Sequence, residues 1–305
     1  MSLIRLPGLI DPHVHLRDPG HTYKEDWYSG TASALAGGYT CVLAMPNTSP
    51  PITDSSSLEN ILEAAHGKVH CDYGIHVAGT SNNTSTVSAL SDKASGLKLY
   101  LNDTFGDLRL DGLHIVNSHM SAWPDNRPVL CHAETYMAAA VLMLAVLHRR
   151  SVHICHVSRK EEIDLIRAAR EQGLAVTCEV TPHHLFMTKS DIDSIEEGRY
   201  MVSPRLNTIS DQNALWQAIA DGVVDCIATD HAPHTLLEKD SRNSPPGFPG
   251  LETSLALMLG AVREGRLSMN RLIELMCTNP ARIFGLASQQ ETWIEVDMHE
   301  KWEVK

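Results

Sequence analysis

The chain has 305 residues, with 25 Lys or Arg against 37 Asp or Glu, which gives a formal net charge of −12. This acidic balance argues against a general nucleic-acid binder, which would carry a basic patch or stripe. No apolar run reaches about 18 residues, so the sequence predicts no membrane span. The seven cysteines form no C-x-x-C pair and most lie in apolar runs, which indicates buried free thiols in a cytoplasmic protein.

Short apolar runs alternate with amphipathic stretches along most of the chain. Eight runs have the length and composition of β-strands: 9–15, 40–45, 71–77, 96–101, 128–132, 152–156, 175–180 and 224–229. Five stretches have helical periodicity: 26–36, 56–66, 138–148, 159–171 and 211–219. The fourth helix has the clearest start, because Ser158 and Glu161 have capping-box spacing, and Gly173 ends it. This alternation predicts a (β/α)8 TIM-like barrel, with a doubly wound open sheet as the alternative.

Three further segments lie outside the strand and helix pattern. The polar segments 102–109 and 236–250 predict long loops of the kind that often bind ligands. The segment 292–304 alternates like a strand and is interpreted as a remnant of a small side sheet. We therefore divide the chain into a barrel over 1–290 and a tail over 291–305 that packs beside it. We expect the chain to open directly on the first barrel strand.

Residues able to bind metal or carry protons follow nearly every predicted strand, and many of the 17 histidines are among them. Because the carboxyl ends of barrel strands form one face, these side chains should converge there. The candidates are His13, His15, Asn47, Lys98, His132, Cys155, His156, Glu179, Asp230 and His231.

His13 and His15 are spaced i, i+2, which places both imidazoles on one face of a strand, where they can chelate one metal ion. The alternative is two polar residues at a strand end. Together with His132, His156 and Asp230, the pair favours a binuclear site over a set of satisfied core histidines. Imidazole and carboxylate ligands suit Zn²⁺.

Lys98 alternates with the leucines of 97–101, which should face the helices, so its side chain is expected to point into the barrel. Burial of an ammonium is costly and lowers its pKa. A neutral amine can add carbon dioxide and become a carbamate, an anionic ligand able to bridge two metal ions. The alternative is a structural ion pair with Asp230 or Glu179.

Eight segments, in order, resemble dihydroorotases of the cyclic amidohydrolase superfamily. They are PGLIDPHVHLRDPG (7–20), AMPNTSPP (44–51), GLKLYLND (96–103), CHAE (131–134), HICHVSRKEEI (153–163), CEVTPHHL (178–185), DHAPHT (230–235) and PPGFPGLET (245–253). The chain is most similar to the dihydroorotase domain of animal multifunctional pyrimidine-synthesis proteins. The resemblance implies reversible cyclisation of N-carbamoyl-L-aspartate to L-dihydroorotate by a homodimer within a larger polypeptide.

The resemblance also implies two Zn²⁺ ions bridged by carboxylated Lys98. The remaining ligands would be His13, His15 and Asp230 for one ion and His132 and His156 for the other, with Asp230 also carrying the proton. A third Zn²⁺ would lie near Cys155, Glu179 and His132. Regular strand alternation puts Cys155 and His156 on opposite faces, so this third site requires an irregular strand end.

For the substrate, the resemblance implies contacts from Arg17, Asn47, His234 and the backbone of Pro246 and Gly247, with Thr104 and Phe105 at the tip of a mobile loop. The planar guanidinium of Arg17 suits a carboxylate, and the alternative is an ion pair at the barrel rim. The family also has a substrate arginine after the seventh strand. Arg205 is the nearest residue, but its register does not match.

Two other functions stay open. A hydantoinase or dihydropyrimidinase uses the same barrel, but its substrates lack the ring carboxylate, so Arg17 and Asn47 would have no evident use. A catalytically silent dihydroorotase-like domain could serve as an assembly scaffold, although such domains typically lose metal ligands.

Overall fold

The computed structural model describes residues 3–102, 108–196, 198–286, 289 and 291–300. The predicted loop residues Thr104 and Phe105 lie outside the described residues. Within the described part, no helix combines the length and apolar character that a membrane crossing requires.

Eight parallel strands follow one another in chain order around a nearly closed barrel. They are β2 Leu9–Val14, β3 Tyr39–Ala44, β4 Asp72–Ala78, β5 Gly96–Tyr100, β6 Val129–His132, β7 Val152–Ile154, β8 Val176–Val180 and β9 Cys226–Ile227. The last strand meets the first through a parallel bridge between Val14 and His231. All eight predicted strands are confirmed, and the sequential order excludes the doubly wound alternative.

Helices cover the outside of the barrel and follow the strands. They are α1 Trp27–Ala36, α2 Ser55–Ala65, α3 Thr84–Ser88, α4 Leu113–Ala122, α5 Tyr136–His148, α6 Lys160–Glu171, α7 Pro182–Phe186, α8 Ile209–Ala220, α9 Leu236–Lys239, α10 Leu251–Arg263, α11 Met269–Ile273 and α12 Asn279–Phe284, with a 3-10 turn at Ile192–Ser194 and a π-helical segment at Glu274–Thr278. The five predicted helices are confirmed. The core between strands and helices is built mainly from Val, Leu, Ile and Ala, and all seven cysteines are free thiols.

A two-stranded antiparallel sheet lies beside the barrel, formed by β1 Leu3–Pro7 and β10 Trp293–Asp297. The predicted tail strand is therefore confirmed as part of a side sheet. The expectation that the chain opens directly on the first barrel strand was wrong, because β1 precedes it. Backbone pairing joins the two strands, with Leu6 opposite Ile294. The Arg5 guanidinium also stacks on Trp293, 3.8 Å from the centre of its ring.

The start of α6 differs from the prediction by one residue. Arg159 is the N-cap, and the buried carboxylate of Glu162, not the side chain of Ser158, accepts the free backbone N–H groups. It accepts from the N–H of Ser158 at 3.0 Å, of Arg159 at 3.1 Å and of Thr135 at 2.9 Å. Glu162 therefore ties the start of α5 to the start of α6.

We expect Glu162→Ala to lower the free energy of unfolding by about 2–4 kcal/mol, because three backbone N–H groups, one of them buried and two partly buried, lose their acceptor. Urea denaturation near neutral pH measures the change. Glu161→Ala is the matched control, since Glu161 is an exposed residue on the same helix. Equal midpoints for the two variants would contradict the capping role of Glu162.

Candidate metal and substrate site

A single open cavity at the carboxyl ends of the strands collects most of the predicted site residues. It is lined by His13, His15, Arg17, Asn47, Tyr100, His132, His156, Val202, Ser203, Asp230, Ala232, Pro246 and Gly247. The barrel geometry thus brings together side chains up to about two hundred residues apart in the sequence, as its parallel strands dictate.

The first group of donors consists of His13, His15 and Asp230. The Asp230 carboxylate oxygen Oδ1 lies 3.3 Å from His13 Nε2 and 3.0 Å from His15 Nε2. Asp230 adopts a left-handed backbone conformation, φ 49°, three residues after the end of β9. Burial alone would raise the pKa of this carboxyl, but the His13 and His15 imidazoles hold it well below its usual range. Burial lowers the pKa of His15 to about 4, so its imidazole is neutral.

The second group contains His132 and His156, whose ring centres are 4.4 Å apart. His156 also lies 5.2 Å from His13 by the same measure. Strand β7 ends at Ile154, and His156 has a φ of 34°, so the irregular strand end turns both Cys155 and His156 inwards. Burial, together with the nearby His132, lowers the pKa of His156 well below its usual value.

These donors fit a divalent metal ion. Ligand atoms of His13, His156 and Asp230 lie within 4.8 Å of one another. His156 Nδ1 is buried and has no hydrogen-bond partner among the described residues. Burial of a polar nitrogen without a partner costs free energy, unless the nitrogen binds another group such as a metal ion. Imidazoles bind metals in their neutral form, which is the form that burial favours here. The residues therefore suit the metal ions that the sequence predicts.

Lys98 is fully buried inside the barrel, as strand alternation predicts. Its Nζ lies 2.9 Å from Cys155 Sγ and 5.2 Å from the centre of the Tyr100 ring. Among the described residues, no carboxylate oxygen lies within 4.0 Å of Nζ, so the alternative ion pair with Asp230 or Glu179 does not form. An ammonium here has no counter-charge within 4.0 Å among the residues that the structure describes.

Glu179 lies deeper in the barrel, where its carboxylate orients the histidines. It is 2.5 Å from His13 Nδ1 and 3.0 Å from His153 Nε2, and it accepts the backbone N–H of His156 at 3.2 Å. Burial raises its pKa, but the contacts with His13 and His153 outweigh burial and hold it well below its usual value. The bond to His13 Nδ1 leaves Nε2 directed at Asp230.

The structure groups the predicted third-site residues differently from the prediction. Ligand atoms of Cys155 and Glu179 lie within 4.8 Å of His13, whereas His132 is in the other group of donors and is 3.4 Å from Glu134. Glu179 is already bonded to three donors. A third metal ion stays a prediction.

The substrate side of the cavity is formed by Arg17 and the loop after the last strand. Arg17 is buried, donates from Nε to the Pro233 carbonyl at 3.1 Å and lies 3.1 Å from His234 Nε2. Asn47 Oδ1 accepts from His15 Nδ1 at 2.5 Å. A fixed guanidinium therefore lies beside the first donor group.

Several lining residues were missed by the sequence reasoning. Tyr100 shares the face of Lys98 and could have been found by strand alternation, whereas Val202 and Ser203 lie in a loop without periodicity. Arg205, the nearest match to the family's substrate arginine, is exposed and is not among the described residues that line the cavity.

Comparison with known proteins identifies the family. The amidohydrolase family matches residues 4–113 and 114–291. The chain is 51% identical over 301 residues to the multifunctional protein CAD of Squalus acanthias, covering 99% of this chain but 13% of that protein. It is 36% identical over 314 residues to the dihydroorotase of Pyrococcus furiosus, covering 98% of this chain and 73% of that enzyme. The chain thus spans a small part of the multifunctional relative and most of the shorter one.

Solved structures share the fold. An L-hydantoinase (dihydropyrimidinase) from Arthrobacter aurescens superimposes with a TM-score of 0.87 at 25% identity, covering 93% of this chain and 72% of that one. The inactive dihydroorotase-like domain of a CAD-like multifunctional protein from Chaetomium thermophilum gives a TM-score of 0.79 at 28% identity, covering 93% and 81%. With its barrel, its cluster of metal donors and the match along nearly its whole length, the chain belongs to the amidohydrolase family.

Proposed function

We propose that this chain is a zinc-dependent dihydroorotase, which interconverts N-carbamoyl-L-aspartate and L-dihydroorotate in pyrimidine biosynthesis. The observation that carries the proposal is a cavity that combines the buried Arg17 guanidinium with five side chains able to bind metal, namely His13, His15, His132, His156 and Asp230. Both substrates carry carboxylates, for which a fixed guanidinium is the matching group. The sequence similarity to proteins named dihydroorotase supports the same function.

Two Zn²⁺ ions would be held by the strand-end donors. His13, His15 and Asp230 would bind one ion, and His132 and His156 the other, with Lys98 between them. When bound, the ions supply an activated water and polarise the amide carbonyl. A third ion near Cys155 and Glu179 would require Glu179 to exchange its hydrogen bonds with His13 and His153 for a metal bond.

Lys98 would act as its carbamate. The ammonium first loses one proton, and the neutral amine then forms a bond to the carbon of carbon dioxide and releases a second proton. A cation is thereby replaced by an anion with two oxygen ligands. The buried position beside Cys155 and Tyr100 supports this change, because no carboxylate oxygen in the described part of the chain lies within 4.0 Å of the Lys98 amine. The carbamate in turn would be neutralised by the metal ions.

Asp230 would carry the proton of the reaction. In ring opening its carboxylate accepts a proton from the attacking water and delivers it to the ring nitrogen that leaves, and in ring closure the direction reverses. Its low pKa, caused by the His13 and His15 imidazoles, keeps the carboxylate ionised at neutral pH.

Other residues that line the cavity, together with His234 beside Arg17, would orient the substrate. Arg17, Asn47 and His234 would bind its carboxylate, and the backbone of Pro246 and Gly247 its ring amide edge. The loop that contains Thr104 and Phe105 would close over the substrate and exclude water.

The two alternatives differ in what they leave unexplained. A hydantoinase shares the metal donors, but its substrates give the buried Arg17 no anionic partner. A silent scaffold domain would have no need of the intact donors His13, His15, Lys98, His132, His156 and Asp230. The dihydroorotase proposal gives both features a use.

Arg17→Met should raise the KM for dihydroorotate by about tenfold to a hundredfold, because a charge-assisted bond to the carboxylate is lost. Steady-state hydrolysis of dihydroorotate in the presence of zinc measures the change. Arg205→Met, which removes an exposed arginine, is the matched control and should leave the KM unchanged.

The same assay separates the alternatives. Turnover of hydantoin or dihydrouracil with an unchanged KM in Arg17→Met would favour the hydantoinase. A zinc-loaded wild-type chain that turns over none of these compounds would favour the silent scaffold.

We further propose that the chain forms a homodimer through helix α5, as one domain of a longer cytoplasmic polypeptide. The 13 residues of α5 include no Asp, Glu, Lys or Arg. Its outer face exposes Tyr136, Met143, Val146 and Leu147, with 76%, 68%, 52% and 69% of each residue accessible. An uncharged helix with an apolar outer face supports a self-complementary contact about a two-fold axis.

Leu147→Arg should convert a dimer into a monomer, because a charge would be buried twice in a symmetric interface. Sedimentation velocity at micromolar concentration measures the mass. Leu237→Arg, at an 88% exposed residue of α9, is the control and should remain dimeric. A monomeric wild-type chain, or an unchanged mass for Leu147→Arg, would contradict this interface.

A further inference from the structure

A second lysine is buried near the cavity, at the end of the short helix α9. Lys239 is 7% exposed, although the preceding Leu236 and Leu237 are 65% and 88% exposed. Its Nζ donates to the carbonyls of Met201 at 2.9 Å, Pro245 at 3.0 Å and Gly247 at 3.2 Å. One ammonium thus binds two segments that are more than forty residues apart in the sequence.

Both segments form the outer wall of the substrate cavity. Val202 and Ser203, which directly follow Met201, line the cavity, and so do Pro246 and Gly247 of the other segment. The segments also touch directly, because the Gly247 N–H donates to the Met201 carbonyl at 2.9 Å. One backbone hydrogen bond and the three bonds from Lys239 therefore join the two segments, while His234 Nε2 contacts the Pro246 carbonyl at 3.1 Å.

The close packing at Gly247 leaves the wall little freedom to shift. Gly247 has a φ of 147°, and a Cβ at this position would lie 2.4 Å from the Ala232 carbonyl oxygen. Since Ala232 also lines the cavity, a small displacement of this loop changes the shape of the cavity.

Lys239 is stabilised mainly by these carbonyls. Among the described residues, no carboxylate oxygen lies within 4.0 Å of its Nζ, and the neighbouring acids are paired elsewhere. Glu238 contacts Lys24 at 2.8 Å, and Asp240 contacts Arg199 at 2.8 Å. Burial lowers the pKa of Lys239 to about 8, so the protein keeps a cation here at a cost. The Lys239 ammonium is buried in spite of this desolvation cost, and its three hydrogen bonds all go to the cavity wall. This arrangement indicates a positioning role.

We propose that Lys239 is a positioning residue for substrate binding, which fixes the 201–203 and 245–247 segments at the separation that the substrate needs. The inference rests on the proposed function for the identity of the substrate. The metal-donor side chains do not depend on Lys239. Their positions are set by the strand ends, by the bond between Glu179 and His13, and by the contact between His15 and Asp230. Lys239 therefore acts on KM and leaves kcat and metal content nearly unchanged.

The test is Lys239→Met in the 305-residue chain, which keeps the length of the side chain and removes its three donors. We expect the KM for dihydroorotate to rise about tenfold, with kcat within about twofold and metal content unchanged. Hydrogen exchange of the peptide that contains Gly247 should become faster, because its amide lies in the loosened wall. Lys189→Met, at an exposed lysine, removes the same charge and should change none of these quantities.

Two outcomes would overturn the proposal. One is an unchanged KM with unchanged exchange at Gly247, and the other is a loss of metal together with a fall in kcat. If Lys239→Met does not fold, Lys239→Gln carries the test, because its amide keeps two donors and should give a smaller rise in KM. If the wild-type chain does not hydrolyse dihydroorotate, the proposed function fails, and the exchange at Gly247 alone decides the role of Lys239.

Discussion

The burial of Lys98 is the constraint on which the rest of the site depends. A parallel barrel directs alternate side chains of each strand inwards, and at this position the sequence places an amine among Cys155, Tyr100 and histidines. Lys98 is fully buried, and no carboxylate oxygen of the described residues lies within 4.0 Å of its Nζ to stabilise an ammonium there. The carbamate that we propose for Lys98 would remove this conflict, because it would replace the buried cation by an anionic metal ligand.

Around Lys98, the buried carboxylate of Glu179 fixes the orientation of the His13 ring, and burial fixes the protonation state of the other histidines. Glu179 binds one nitrogen of His13 and leaves the other facing Asp230, while burial keeps His15, His132 and His156 neutral. Such a carboxylate behind a metal-binding imidazole fixes its tautomer and orientation. The barrel strands bring the histidines together, and the buried Glu179 carboxylate fixes the orientation of His13.

Sequence periodicity predicted the eight strands and the donors at their ends, because both follow from alternation in a buried parallel sheet. Features set by local geometry were missed. The turn at His156 depends on a positive φ, and the cap of α6 uses Glu162 because Ser158 is bonded to Asn207 instead. Strand β1, which precedes the first predicted strand, was also missed. The contact of Lys239 Nζ with the Met201 carbonyl joins a four-residue helix to a loop, and neither follows a period that could predict it.

The central claim is a two-metal centre bridged by Lys98 that hydrolyses dihydroorotate. The most direct measurement is the metal content per chain, by plasma mass spectrometry, together with dihydroorotate hydrolysis for the wild type and Lys98→Ala. The account predicts about two Zn²⁺ per wild-type chain, and loss of most metal and activity in the variant, because both ions lose a shared ligand. Full zinc content and activity in Lys98→Ala would contradict it.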